Sequence, residues 1–414
     1  MAASLPASYS KSLQLDVDNV WNGLLIYWLL EDADERSSTL QLLHDAPSQA
    51  KRLQPALRAR NDRLAGTGQE AWNHACDRCC WIKTFPDGRR GYIRATVTDG
   101  VTIGRPTCSV HDCDIPLDSV KDRYCPEHLD QDKQCAVTSC TLSAEPHHRT
   151  CSIREHRALE DYNSEQNKAM FQLKRRLARL KTSQPRDAVP DSELGDAPFN
   201  DEEVLIDKNG DCTDKPDEGN RSLRARFGRR RTHNEELCVA TCGVILGRAT
   251  FYGSEAPNGV RTFWTKLFPT RRALPGVLFH DNSCRIAAML RSEGDEYFKY
   301  SALPVDVFHF KSKHKESDTD CGTYCNPVLW KDLMTPQGFR FNSSAAEQAN
   351  AWIGGYQAVV REMQADRYEF FLDEMIRRRN RDIISELRTA GQAPYEIPRE
   401  ELLRPESPEI LDDD

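Results

Sequence analysis

The sequence predicts an α/β fold: a mixed sheet, helical segments toward both ends of the chain, and a small zinc-stapled unit. Three observations carry this. Residues 238–300 read as strand, helix, strand. Residues 108–156 contain a duplicated Cys/His spacing. Residues 1–75 and 343–390 show helical apolar periodicity. The length, 414 residues, allows two or three domains at about 150 residues each. With 39% hydrophobic and 29% charged residues, the chain can bury a core beneath a wet surface. The net charge of −8, from 56 basic and 64 acidic residues, argues against a protein basic throughout. It leaves room for local cationic patches that bind nucleic acid.

The longest apolar run, Leu24–Leu30, falls short of the roughly 18 residues a membrane span needs. The segment MAASLPASYSKSLQ lacks the basic flank and apolar run of a secretory signal. Neither a span nor a signal is expected. The fifteen cysteines then read as reduced thiols, with metal binding as their leading role.

Along the chain, residues 1–75 are a helical lead-in: Val20–Leu30 is apolar, Leu40, Leu42 and Leu43 follow, and Pro55 opens a second amphipathic helix ending near Gly66. Residues 76–104 begin the sheet. Tyr92, Ile93, Val97, Val101 and Ile103 are β-formers around Asp99-Gly100, so this is a strand, or a hairpin turning at that dipeptide. Residues 105–160 hold the tandem cysteine cluster. Residues 161–182 suggest a basic helix, with Met170, Leu173, Leu177 and Leu180 at a/d spacing suited to self-association. Residues 183–232 read as a flexible linker followed by the cationic run RSLRARFGRRR, whose Arg224, Arg226, Arg229, Arg230 and Arg231 are candidate DNA contacts.

Residues 233–390 continue the sheet and carry a His/Cys insertion. Here CGVILGRATFYGSE is a strand, residues 258–268 are a helix with Val260, Phe263, Trp264 and Leu267 on one face, and GVLFHD is a buried strand ending at Asp281. A long helical pattern follows over 343–390. Residues 391–414, rich in proline and acids, are expected to be a disordered tail.

The sharpest motif is the repeat. Cys108-x4-Cys113-x11-Cys125-x2-His128 is followed by Cys135-x4-Cys140-x10-Cys151-x4-His156, with successive ligands displaced by 27, 27, 26 and 28 residues. Three thiolates and one imidazole make a tetrahedral zinc set, and closing such a set folds a unit that has little other core. Two weaker sets accompany it. Cys76 and Cys79, with Cys80 beside them, pair with Cys238 and Cys242 in a four-thiolate site. His309, His314, Cys321 and Cys325 form a zinc loop between helices. Cys212 and Cys284 read as unliganded.

The segments TDGVTIGRPTCSVHDC, CAVTSC, HRTCSIREHRALE, FGRRRTHNEELCVATCGVILGRATFYGSE, LFHDNSCRI, PVDVFHF and NSSAAEQANAWIGGYQAVVREM resemble the fungal KDZ (Kyakuja–Dileera–Zisupton) transposases. The two knuckles resemble the cysteine cluster associated with them. The resemblance runs through most of residues 76–390. It implies an RNase H-like mixed-sheet core of the DDE/D kind, interrupted by a zinc-binding insertion at residues 105–232. It further implies catalytic acids at Asp99, Asp281 and Glu347, where the family often shows Asp-Gly-Asn-Phe in place of Asp99-Gly100-Val101-Thr102. Such a triad holds two Mg²⁺ or Mn²⁺ ions about 4 Å apart for phosphodiester cleavage and joining. DNA is then the partner and the nucleus the expected location, with structural Zn²⁺ alongside. Taken singly, each acid is a common turn or helix-start residue. The alternative is a catalytically inactive, transposon-derived zinc protein that binds DNA or protein. A ubiquitin-ligase-like zinc module fits less well, because each quartet here is contiguous and not interleaved.

Overall fold

The computed structural model describes residues 16–84, 86–88, 90–166, 204–205, 223–314, 317 and 319–405. The chain divides into two compact units. One comprises Met1–Gly104 and His233–Asp414; the other is Arg105–Thr232.

The first unit is built on five strands: β1 (Cys80–Thr84), β2 (Arg90–Val101), β3 (Asn234–Ala240), β4 (Ile245–Phe251) and β5 (Val277–His280). The spatial order is β5-β2-β3-β4, with β1 paired to the first half of β2. Strands β2 and β3 run antiparallel, with Thr98 opposite Cys238 and Asp99 opposite Leu237. β3 and β4 are antiparallel neighbours with an irregularity at Cys238/Val239. β5 lies parallel to β2, from Val277 opposite Ala95 to His280 opposite Thr98. A parallel neighbour requires a crossover, and helix α3 (Pro257–Leu267) supplies it between β4 and β5. The segment around Asp99-Gly100 is therefore one continuous strand and does not turn.

Alternation along the strands sends side chains to two apolar layers. Ala95, Val97, Leu237, Val239, Val277 and Phe279 pack with helices α1 (Val17–Glu35), α2 (Gln49–Leu64), α6 (Ala345–Gly354) and α7 (Ala365–Thr389). Cys238, Ala240 and Leu278 pack on the other face with α3 and α4 (Ser283–Glu293). The face predicted for α3 is the buried one: Val260, Phe263, Trp264 and Leu267. Trp264 also donates its indole N–H to Thr98 at 2.9 Å. Helix α5 (Val307–Lys313) is capped by Asp306, which accepts from the backbone N–H groups of Phe308 and His309.

Three expectations are corrected here. α2 begins at Gln49, capped by Ser48, and carries Pro55 inside it. The pattern over 343–390 is three helices, because the chain leaves the helical path after Gly354 and again between Val360 and Ala365. Residues 391–405 are packed, not disordered. Tyr395 and Glu396 pair with Ala75 and His74, and Leu402 is buried. The remainder of the expected tail lies outside the described residues.

The second unit, Arg105–Thr232, has a small core made largely of its own sulfur atoms. Cys108, Cys113 and Cys125 form one cluster. Cys135, Val137, Cys151, Leu159, Ala225 and Phe227 form another. The Arg-rich run is part of this unit and does not form a linker within the described residues. Arg224–Ala225 pairs with Val204–Leu205, and Arg230–Arg231 pairs with Pro106–Thr107. Arg226 N–H donates to the Ala136 carbonyl at 3.0 Å. The helix here spans Arg154–Gln166. Most of the predicted basic helix, including Met170–Leu180, lies outside the described residues, as does Cys212.

Candidate metal centres and carboxylate site

In the second unit the side chains of Cys108, Cys113, Cys125 and His128 converge, each offering a ligand atom within 4.8 Å of the others. His128 Nδ1 lies 3.5, 3.5 and 3.2 Å from the sulfurs of Cys108, Cys113 and Cys125, and Cys113 Sγ lies 3.8 Å from Cys125 Sγ. A zinc tetrahedron with bonds of about 2.3 Å to sulfur and 2.0–2.1 Å to nitrogen has edges of roughly 3.5–3.8 Å. The second quartet, Cys135, Cys140, Cys151 and His156, has the same form. His156 Nδ1 is 3.5 and 3.3 Å from Cys135 and Cys151, and Cys140 lies 3.9 Å from Cys151. The backbone N–H groups of Ile115, Val137 and Ile153 point at the sulfurs two residues earlier, those of Cys113, Cys135 and Cys151. These are Cys₃His donor sets of structural zinc.

The first unit holds further groups, two of which contain cysteine. His74, Cys76, Cys79 and Cys242 form one, and Cys284, His314 and Cys321 form the other. In the latter, His314 Nδ1 is 3.1 Å from Cys321 Sγ and 3.8 Å from Cys284 Sγ.

The acids gather at the carboxyl ends of β2 and β5. Asp99 lies in β2, and Asp281 follows directly on β5, one position beyond the Thr98–His280 pair. Asp99 takes a hydrogen bond from its neighbour Gly100 N–H at 2.9 Å and from Asn350 Nδ2 at 2.8 Å. Burial, and then the charges of Asp281 and Glu255, push Asp99 up to about 6. His280 is fully buried. Its Nδ1 lies 3.1 Å from Asp281, while its Nε2 faces Glu236 at 3.6 Å and Glu255 at 3.4 Å. Burial opposes a charge on this ring, but the surrounding carboxylates outweigh it and raise it to about 10. Burial likewise raises Glu236 to about 7, with His280 pulling the other way. Asn234 Nδ2 ties Glu255 at 2.9 Å to Glu236 at 3.3 Å. Glu347, on the first turn of α6, is half exposed and lies 3.5 Å from His309 Nδ1. One turn further along the same helix is Asn350, the residue on Asp99.

Residues 97–162 match the family model for the CxC6-like cysteine cluster associated with KDZ transposases. The chain carries a KDZ-transposase-type cysteine cluster. The matched stretch begins inside β2, two residues before Asp99, and ends in the Arg154–Gln166 helix, so it takes in both quartets of the cluster. No curated protein and no solved structure matches the chain. Among the described residues, no helix is long and apolar enough to cross a membrane.

Outside the cluster, the ligand sets differ from those expected. Cys238 does not join Cys76, Cys79 and Cys242. It sits mid-strand in β3, wholly buried, beside Thr96 and Thr98. The fourth donor is His74. Cys80 opens β1 and faces the Tyr395 hydroxyl at 3.8 Å. His309 is drawn away from His314 and Cys321 by Asp306, whose carboxylate meets its Nδ1 at 2.5 Å. Cys284, expected to be unliganded, takes its place. Cys325 is buried nearby, its thiol pushed up to about 12 by burial and then by Cys284.

Of the arginines, Arg224 is exposed, whereas Arg229 donates to the Val120 carbonyl. Sequence reasoning missed His74, Glu236, Glu255, His280 and Asn350. A signal existed for two of them: His74 precedes Cys76 as His-x-Cys-x2-Cys, and His280 abuts Asp281.

Proposed function

We propose that the first unit is an RNase H-like core of the DDE/D kind, which cleaves and joins DNA phosphodiesters, and that the cysteine cluster assists its hold on DNA. The observation that carries this reading is the juxtaposition of Asp99 and Asp281 at the ends of parallel neighbours β2 and β5, close enough for the Asp281 charge to make Asp99 hold its proton more tightly. Asn350, one helical turn from Glu347, links α6 to the same point. Adjacent parallel strands ending in acids, with a third acid on a later helix, make an oxygen-donor cradle for hard divalent cations.

The donor set fits such ions. Asp281 Oδ1 and Glu236 Oε1 are buried carboxylate oxygens that make no well-aligned hydrogen bond, although the His280 ring stands 3.1 and 3.6 Å from them. Asp99, Asp281 and Glu347 would hold Mg²⁺ or Mn²⁺, which would activate the attacking hydroxyl and stabilise the leaving oxygen of an in-line displacement. The chain's own residues prepare the site. Asn350 fixes one oxygen of Asp99. His280, flanked by Glu236 and Glu255, sets the position of Asp281. Asp306 holds His309 against Glu347.

The arginine-bearing strand segment and the zinc cluster offer phosphate contacts that depend on charge and not on sequence. Nuclear location belongs to the same reading. The test is Asp281→Ala in the full chain. Mg²⁺-dependent cleavage of duplex DNA is expected to vanish while zinc content and the melting profile stay constant. Cleavage at the wild-type rate would sink the assignment.

One observation favours a second reading, a non-catalytic zinc protein that retains the fold. The His280 ring, whose pKa the surrounding carboxylates raise, already stands 3.1, 3.6 and 3.4 Å from Asp281, Glu236 and Glu255, where a metal ion would otherwise offset their charge. Under that reading neither wild type nor variant cleaves DNA with Mg²⁺ or Mn²⁺.

A further inference from the structure

We infer that His74, Cys76, Cys79 and Cys242 form a structural zinc site inside the sheet-bearing unit, separate from the cysteine cluster. None of the four falls within the matched residues 97–162. Their ligand atoms all lie within 4.8 Å of one another. Cys76 Sγ and Cys79 Sγ are 3.6 Å apart, and Cys242 Sγ is 3.4 Å from His74 Nε2. These are tetrahedral edges for a zinc ion bound by sulfur and nitrogen. The sulfur separation is well beyond the roughly 2.05 Å of a disulfide.

The local backbone repeats what the two quartets of the cluster do. The N–H of Arg78 points at Cys76 Sγ and that of Val244 at Cys242 Sγ, each two residues on. This is the relation seen at Cys113, Cys135 and Cys151. Such N–H groups stabilise thiolate charge. Both turns are tight. Cys79 and Cys80 N–H donate to the Cys76 carbonyl at 3.0 and 2.9 Å. Gly243, at φ +98°, closes the β3–β4 hairpin immediately after Cys242, a conformation that favours glycine. Three thiolates on Zn²⁺ leave one net negative charge. Arg379 stands beside it, donating to the Gly243 carbonyl at 2.6 Å and facing Cys242 electrostatically.

The site would tie two distant pieces of chain together, residues 74–79 and Cys242, and through the pairing of His74 would hold a third. His74 lies in the strand pair with Glu396, Cys76 and Cys79 lead into β1, and Cys242 caps the hairpin. His74 and Cys242 are 168 residues apart in sequence. A zinc ion here would therefore anchor the packed C-terminal segment and the β3–β4 turn to one point.

Zinc per chain, measured by mass spectrometry on the purified full-length protein, tests this. Cys242→Ser should lose one zinc equivalent relative to wild type, and Cys238→Ser should lose none. Loss from Cys238→Ser, or wild-type zinc in Cys242→Ser, overturns the assignment. Should Cys242→Ser fail to fold, cobalt-substituted His74→Cys decides. The thiolate-to-cobalt absorption should rise by one thiolate's share at unchanged cobalt content, and an unchanged band overturns the site.

Discussion

Asn350 donates its side-chain amide to Asp99 Oδ2 at 2.8 Å, across 251 residues of sequence, and the same amide reaches the Gly100 carbonyl at 3.3 Å. One helix side chain thus fixes both the direction of the Asp99 carboxylate and the strand backbone beneath it. Groups that orient a metal-binding side chain in this way typically carry 10–100-fold of activity. Under the proposed nuclease reading, Asn350→Ala is expected to lower Mg²⁺-dependent DNA cleavage by about that factor, with zinc content unchanged. Asn350→Asp, which sets a second carboxylate against the first, should be worse. Single-turnover cleavage assays on both variants check the order.

Asp99 also predicts a pH dependence. In the folded chain it titrates at about 6, above the roughly 3.9 of an unfolded aspartate. The folded state therefore holds the proton more tightly. The associated stability is complete below about pH 4 and is lost as pH rises through about 6. In Mg²⁺-free buffer Asp99→Asn should stabilise the chain by about 2 kcal/mol at pH 8 and give no such gain at pH 4. Urea unfolding at the two pH values measures it; a gain that is equal at both would rule out relief of a buried charge.

Gly100 is the next point of sensitivity. A Cβ there would lie 2.0 Å from Asn234 Nδ2 and 2.7 Å from Glu236 Oε2. Either β3 moves or Asn234 swings away from Glu255. Gly100→Ala should cost about 1–3 kcal/mol, seen as a lower urea midpoint. Asn234→Ala in the same background should recover part of the loss by vacating the space.

Arg248, in β4, anchors a second buried charge network of the sheet-bearing unit. Its buried guanidinium meets Glu235 at 3.0 Å, Glu369 at 2.7 Å and Asp373 at 2.8 Å, and Tyr368 adds a hydroxyl to Glu235 at 2.9 Å. Removing the cation strands the carboxylates without a counter-charge. Arg248→Met should destabilise by about 3–5 kcal/mol. Arg248→Lys should fall between, since an ammonium cannot span three partners as the planar fork does. Thermal melts of the two variants give the ranking.

The sequence carried the local features and lost the distant ones. The buried face of α3 was visible because helical spacing alone sets it. The two quartets of the cluster were visible because each is contiguous and duplicated. Cys238 and Cys242 looked equivalent, yet one sits within a strand and the other in the turn after it. Only the register of β3, fixed by its pairing with β2 and β4, separates them. Cys284 and His309 exchanged roles for the same reason: α4 and the Asp306 cap set their directions, and neither is encoded in ligand spacing. Glu236, Glu255 and His280 come from three separate segments, so no window of sequence contains their meeting.

The Arg105–Thr232 unit is spliced between β2 and β3, strands that pair at the centre of the sheet. During synthesis on the ribosome, β2 emerges first and waits with an open edge until the whole metal-dependent segment has followed it. An unpaired, apolar strand edge invites association with other chains. Prompt zinc capture would fold residues 108–156 into the platform on which the returning Arg224–Arg231 segment docks, pairing Arg230–Arg231 with Pro106–Thr107 and shortening that wait. Cellular zinc supply would then govern how much nascent chain escapes aggregation.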